Sequence, residues 1–482
     1  MPRLTALTTY ALLWFAVGVF AESIAWGQQN PLRPVTAFES EAFQELTEEP
    51  PDADPPPRAG ERRREPSGGR TNAPELLDTP PGIPRTLPAD DPWPSDTSDD
   101  WDWQDDQLVY EAALAMNGLY VRAEWLLWNS SGLDLPPLVT TSPAGTARAN
   151  AGVLGLNTTT ILFGGESVND STRSGGRITF GTWLSPDRRV ALEGEYFALG
   201  DEHANFSATS TGPTILGRPF FNMLTGRETA ELIGFPNLIS GTVDVEAITQ
   251  FQGAAARIVY PLCSGYGCVY PMGDEFGRGV PQGYQFNVTG GYRFLRLDDS
   301  VVVREDLTSL NPAAPGTFLI EDRFVTSNQF HGAEIGMLLQ CRRGRWSLEG
   351  ITKVAVGNNR GNVQIRGAST ITENNIAEQF NTGILAQRSN IGQYTQDQFA
   401  MVPELGLTVG LQVAPNWRVV AGYSLIYWSR VLRAGDQIDR DLNPNLIAPE
   451  TVPFTGPLRP QFAFQYTDFW AQGFNLGLEG RW

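Results

Sequence analysis

From Gly118 to Trp482 the chain alternates apolar and polar positions with a period of two, interrupted by turns and loops. An extended backbone turns successive side chains to opposite faces, so each alternating run predicts a strand with one apolar and one polar face. The pattern is cleanest at the end. Trp470, Phe474, Leu476, Leu478 and Trp482 share one parity, while Ala471, Gly473, Asn475, Gly477, Glu479 and Arg481 share the other. The same reading predicts nine further strands, over Leu119–Leu127, Arg177–Leu184, Val190–Leu199, Val243–Phe251, Tyr284–Phe294, Gln329–Gln340, Trp346–Val356, Phe399–Val413 and Val419–Ser429.

Connection lengths give these strands an arrangement. Ser185 to Arg188, Cys341 to Arg345 and Ala414 to Asn416 are tight turns, whereas the connections after the first, third, seventh and ninth strands run to dozens of residues. Short turns on one rim, long loops on the other and an even strand number are the layout of bacterial outer-membrane barrels. The expectation is an all-β fold, a transmembrane antiparallel β-barrel of about ten strands over residues 118–482, with long extracellular loops and both ends periplasmic. Val259 to Pro281 falls where a short turn belongs yet is long, so twelve strands is the alternative.

In such a barrel the apolar parity meets lipid and the polar parity lines the lumen. The lumen-lining candidates are then Arg122, Glu193, Glu195, Asp244, Glu246, Glu349, Lys353, Glu404, Glu479 and Arg481. Charges of both signs in a narrow space should pair, because an unpaired buried charge is costly. Such a set is either a polar, cation-preferring passage or an interior held shut by ion pairs. Width decides between them: about eight strands leave an interior filled by side chains and 16–18 enclose an aqueous channel, so ten or twelve favour a narrow or blocked lumen.

Composition adds four things. Mean hydropathy is −0.23, which looks soluble but misleads for barrels, whose strands carry polar lumen residues. The formal charge of −19 argues against nucleic acid as a partner. Lys353 is the sole lysine, and every other basic residue is Arg, whose forked donors suit a lumen lined with carboxylates. Three cysteines exclude a disulfide framework and a four-cysteine metal site. A bridge between Cys263 and Cys268 stays open, and Cys341 then has no chemistry.

Residues 1–27 read as a signal peptide: Arg3, the apolar run Ala11 to Phe20, and small residues at Ala21, Ala25 and Gly27. The run is too short for a comfortable membrane helix. Residues 28–117 are expected to be a disordered acidic Pro-rich periplasmic tail. Between Gln28 and Asp106, seven Arg stand against nineteen Asp or Glu, which is −12 of the total −19. Such a stretch cannot bury enough apolar surface to offset its ordering entropy. Extended at about 3.1 Å per residue it could reach on the order of 200 Å. Trp93, Trp101 and Trp103 sit among aspartates, either as a docking motif for a basic periplasmic partner or as part of a solvated linker.

Two resemblances support the barrel. The last strand, ending on an aromatic residue, resembles the closing strand of bacterial outer-membrane barrels, which implies recognition by the barrel-assembly machinery. The loop after the first strand contains Leu135-Pro136-Pro137-Leu138-Val139-Thr140-Thr141-Ser142-Pro143, Ala151-Gly152-Val153-Leu154-Gly155, Leu162-Phe163-Gly164-Gly165 and Arg173-Ser174-Gly175-Gly176-Arg177. This series resembles the BBP-type outer-membrane barrel family, most specifically over Gly118 to Leu199. The resemblance implies a barrel in the bacterial outer membrane, in contact with its lipid, and transfers no site residues. The run Thr158 to Phe163 either folds into the mouth as a plug or stays a rim loop.

No catalytic, cofactor-binding or metal residues are assigned. Asp201, His203 and Ser207 are crowded in one loop and lack a nucleophile elbow. His331, at a strand start, reads as a rim or lumen residue. Asp436, Asp439 and Asp441, or Asp298 and Asp299, read as solvated carboxylates before they read as calcium ligands. The expected function is non-enzymatic: an outer-membrane barrel that is structural or forms a narrow gated pore. The rivals are a general diffusion porin and a secreted β-sandwich adhesin or enzyme.

Overall fold

The computed structural model describes residues 118–184, 189–269 and 280–482, with side chains of 266–282 left aside. The expected signal peptide, the acidic tail with its tryptophans, and the turn Ser185 to Arg188 lie outside the described residues.

Ten long strands form one antiparallel ring: β1 (Leu119–Ser130), β2 (Arg173–Trp183), β3 (Ala191–Leu199), β4 (Ile239–Val269), β5 (Val280–Ser309), β6 (Gly316–Arg343), β7 (Trp346–Glu373), β8 (Gly392–Ala414), β9 (Trp417–Leu432) and β10 (Tyr466–Arg481). Each pairs with its neighbours in the chain, and β1 pairs with β10, from Tyr120 opposite Arg481 to Ser130 opposite Ala471. Closure of this kind leaves no two-layered sandwich. Among its described residues the stretch Val259 to Pro281 holds no extra pair of strands, because β4 and β5 stay paired out to Val269 and Val280. Cys263 and Cys268 therefore lie five positions apart on one extended strand, about 17 Å at roughly 3.4 Å per residue, beyond the reach of a disulfide. The bridge left open by the sequence is not made, and Cys263 and Cys341 are free and exposed.

The outward parity carries an apolar belt. On β5 it reads Tyr284, Phe286, Val288, Tyr292 and Phe294; on β7, Trp346, Leu348, Val354 and Val356; on β8, Leu411 back to Phe399. The belt is about eleven residues tall, close to the 9–11 that a tilted strand needs to cross a bilayer. A polar row ends it, with Arg296 opposite Gln329, Gln329 opposite Arg360 and Arg360 opposite Asp397.

Strands β4 to β7 are 31, 30, 28 and 28 residues long, about three times the length a bilayer needs. Beyond the polar row the chemistry of the two faces inverts. Val243, Val245, Ala247, Val301, Val303, Phe324, Val363 and Ile365 point inward and are buried, while Asp244, Arg304 and Asp306 point outward to water. Lipid surrounds the belt, so there the apolar face is the outer one; above it water surrounds the sheet and the apolar face must turn in. This corrects the reading of Asp244 and Glu246 as lumen residues. Asp244 is exposed, and Glu246 meets Arg304 at 3.8 Å on the outer surface.

What the inverted face covers is built from the connections 131–172, 200–238, 374–391 and 433–465. Leu133, Leu135, Leu138 and Val139 from the first, Leu216, Phe220 and Ile233 from the second, Ile384 to Ala386 from the third and Leu442 from the fourth share one apolar core with the strands. A small sheet joins Arg227–Gly234, Ile215–Asn222, Val139–Ser142 and Thr160–Phe163 in that order. Thr160–Phe163 is its outer edge, largely exposed, so the piece of the first loop that enters the mouth is Leu133 to Val139 instead.

Candidate functional site: the barrel interior

At the end carrying the short turns, the interior is a layer of paired charges. Arg122 contacts Glu349 at 2.7 Å and Glu479 at 2.5 Å, and Arg418 contacts Glu479 at 2.6 Å and also Glu349. Arg481 closes the rim on Glu479 at 2.5 Å. One level further in, Glu195 receives Arg257 at 2.9 Å and Arg293 at 3.0 Å, Glu404 receives Lys353 at 2.8 Å and Arg293 at 2.9 Å, and Glu124 receives Arg177 at 2.7 Å. Glu334 lies 3.4 Å from both Arg257 and Arg293. Tyr120 donates its hydroxyl to Glu193 at 2.6 Å. Gly181 makes room for that ring, since a Cβ there would sit 2.2 Å from it. Glu124, Glu193, Glu195, Glu334, Glu349, Glu404 and Glu479 are thus matched by Arg122, Arg177, Arg257, Arg293, Lys353, Arg418 and Arg481. No sign is in excess among these pairs, and the space left between them is about 100 Å³.

Above this lies a second layer of opposite character. Trp128, Phe197, Phe251, Phe330, Trp428 and Phe469 converge from β1, β3, β4, β6, β9 and β10, each at most 1% exposed, with Leu126, Leu295, Leu297 and Ile426 between them. Phe251 is the hub: its ring centre lies 5.2 Å from Phe197, 4.8 Å from Phe469 and 6.5 Å from Trp428. Edge and tilted contacts at these spacings are favourable packing for aromatic rings. The layer is tied to the charged one below by Asn475, which accepts from the Trp128 indole at 2.7 Å and donates to Ser424 at 2.8 Å.

Over the aromatic layer, Arg433 is held by Asp299 at 2.6 Å, and Asn328 bonds both backbone groups of Leu432, fixing the entry of the last loop. A recess of about 350 Å³ opens beside it, lined by Asp134, Asp170, Asp436, Asp468, Ser131 and Trp470. Burial pushes the Asp436 carboxyl above its ordinary range.

Of the sequence candidates, the structure brings together Arg122, Glu193, Glu195, Glu349, Lys353, Glu404 and Glu479, with Arg481 at the rim, and puts Asp244 and Glu246 outside. Glu124, Arg177, Arg257, Arg293, Glu334 and Arg418 belong to the same network and were missed, although parity alone marks them: Arg293 sits between outward Tyr292 and Phe294, and Glu334 between Ala333 and Ile335. Asp201 accepts from Gln250 at 2.7 Å, while His203 is exposed on the extended strand Glu202–Ser210, four positions from Ser207. The three do not converge. His331 faces outward, bonded to Tyr292, rather than into the lumen. Asp298 pairs with Arg296 at 2.6 Å and Asp439 with Arg459 at 2.9 Å. Among the described residues no group of acidic, histidine or cysteine side chains is arranged to hold a metal ion.

Comparison with known proteins gives distant likenesses among solved structures. The outer membrane protease OmpT from Escherichia coli aligns over 76% of this chain and 97% of its own, at 8% identity and a TM-score of 0.31. A Pseudomonas aeruginosa FadL homologue aligns over 77% and 92% at 6% identity and 0.19, and the P. putida toluene transporter TodX over 77% and 91% at 7% and 0.18. Scores this low carry no argument about activity. No curated protein matches. The family model of beta barrel porin-7 matches residues 120–482, from the second residue of β1 through the end of β10, and the chain therefore belongs to the BBP7 family of outer-membrane β-barrels.

Proposed function

We propose that this protein is a sealed outer-membrane barrel that carries a loop-built head on the outer surface, and that it is not an enzyme. The short turns and both ends of the described chain then face the periplasm, where residues 28–117 would act as a tether or docking tail. The observation that carries this reading is the aromatic layer: six large rings from six strands fill the cross-section and are shut off from solvent. A ten-stranded ring is narrow enough for side chains to fill it. A general diffusion porin would need that layer open. Purified protein in planar lipid bilayers tests the proposal: no steady conductance is expected, and large steady conductance would overturn it. The charged layer with its 100 Å³ space supports a second reading, a narrow gated pore, whose signature is brief steps appearing only when the rings are displaced.

A further inference from the structure

The loops that fill the outer head are held at one point by two carboxylates sharing one guanidinium, with a third carboxylate on the neighbouring loop strand. Arg218, on the loop strand Ile215–Asn222, places Nη1 2.8 Å from Glu305 of β5 and 2.7 Å from Asp322 of β6. Asp322 also accepts the backbone N–H of Ile384, Leu385 and Ala386 at 3.1, 3.2 and 2.8 Å, so it holds the β7–β8 connection. Glu231, half-buried, lies directly opposite Arg218 on the paired strand Arg227–Gly234. Two loop strands, the β7–β8 connection and strands β5 and β6 meet at this clasp.

The charges do not balance there. With every group ionised the cluster carries three negative charges against one positive. Among the described residues no ion pair brings a second cation to it: on the other face of the Arg227–Gly234 strand Glu228 is taken by Arg440 at 2.8 Å, and Arg304, Asp306 and Asp244 lie on the outer surface of the sheet. Three backbone N–H groups compensate Asp322, but Glu305 Oε2 and Arg218 Nε and Nη2 are buried without a hydrogen-bond partner, so the charge on the two glutamates is not met in the same way. A proton meets it most simply. Burial, and then the Glu305 carboxylate, push Glu231 up to about 7 against the pull of Arg218, and burial raises Glu305 as well.

We propose that a proton held between Glu231 and Glu305 keeps the Arg218 clasp closed, and that its loss in alkaline medium loosens the outer loops from the mouth. A carboxyl whose pKa is raised in the folded state stabilises that state while protonated, so the contribution is present at acid pH and lost as pH rises through the folded value, near 7 for Glu231. The test is hydrogen exchange on the full chain in lipid vesicles, following peptides over Ile384 to Ala386 and over β9, with rates corrected for the pH dependence of intrinsic exchange. Between pH 6 and 8.5 the loop peptide should lose protection about tenfold, while β9 stays unchanged. Glu231→Gln should be flat across that range. Unchanged wild-type protection, an equal loss in β9, or the same pH dependence in Glu231→Gln would each overturn the proposal. If Glu231→Gln does not assemble, the wild-type midpoint decides: between about 6 and 8 supports it, and any value outside that range overturns it.

Discussion

Arg293 is the side chain whose removal should be felt most in the lower interior. It is 1% exposed, touches Glu195 at 3.0 Å, Glu334 at 3.4 Å and Glu404 at 2.9 Å, and lies over the Phe197 ring at 5.7 Å. Arg293→Met keeps the length and the contact with the ring but leaves three carboxylates to Arg257 and Lys353 alone. Removing one partner of a buried pair costs about 3–5 kcal/mol, because the other charge stays buried without compensation. That corresponds to a fall of roughly two to four orders of magnitude in the folding constant. Glu404→Gln then removes one of the stranded charges at nearly constant shape, although it also takes from Lys353 its partner at 2.8 Å. The double variant should therefore be less destabilised than the sum of the singles, by about 0.5–3 kcal/mol. Denaturant unfolding from lipid vesicles, followed by tryptophan fluorescence, measures all three. Additivity within about 0.5 kcal/mol, or a cost for Arg293→Met below about 1 kcal/mol, would mean that water already screens these charges, and the sealed interior would go with it.

Two further outcomes follow from the layers. Leu476→Arg, at a position 52% exposed and paired with Trp125 and Ala421 on the belt, should cost about 2–4 kcal/mol and impair assembly; a normal heat-resistant barrel on unboiled gels would refute the assignment of faces. Replacing Phe251 and Trp428 together by Ala removes the hub and one neighbour at about 3–5 kcal/mol each, and should produce conductance steps absent from the parent protein. Silent bilayers from the assembled double variant would place the barrier in the loop core instead.

Much of the membrane-spanning barrel was legible because period two is a backbone property. All ten strands, their order and the faces of β1 and β10 follow from alternation, and the short turns fix which ends meet. The head was not legible in the same way. Val243, Val245 and Ala247 look like lipid-facing residues to any reading that assumes one solvent along a strand, and their environment changes from lipid to water at Arg296, Gln329 and Arg360 without any break in parity. Strands β4 to β7 were read too short: the upper halves of β5 to β7 were taken for loop, while of β4 only the upper part, Val243–Phe251, was read as strand and its lower end from Val259 as a turn. Within the interior, alternation marks a side chain as inward but not its partner: that Arg122 of β1 reaches Glu349 of β7 across the barrel depends on closure and the stagger of strands, which no local pattern encodes. The aromatic layer was missed for a related reason, since Trp128 shares a parity with Glu124 two pleat repeats away, and Phe251 with Arg257 three repeats away.

The seam between β1 and β10 sets a schedule for the molecule. Arg122 is close to the first described residue, yet one of its partners, Glu349, lies 227 positions later and the other, Glu479, 357 positions later. Chains dominated by such distant pairings close slowly, because the loop entropy is spent before the contact is gained. Until β10 arrives, β1 presents a free edge, and the interior arginines and glutamates of an open, curved sheet have water rather than one another as partners. Closure is then a single late step in which the ring, the ion pairs and the aromatic layer all become complete, so a chain stalled before that step is an exposed template for unwanted strand pairing. Time, more than final stability, is what this architecture asks of its assembly.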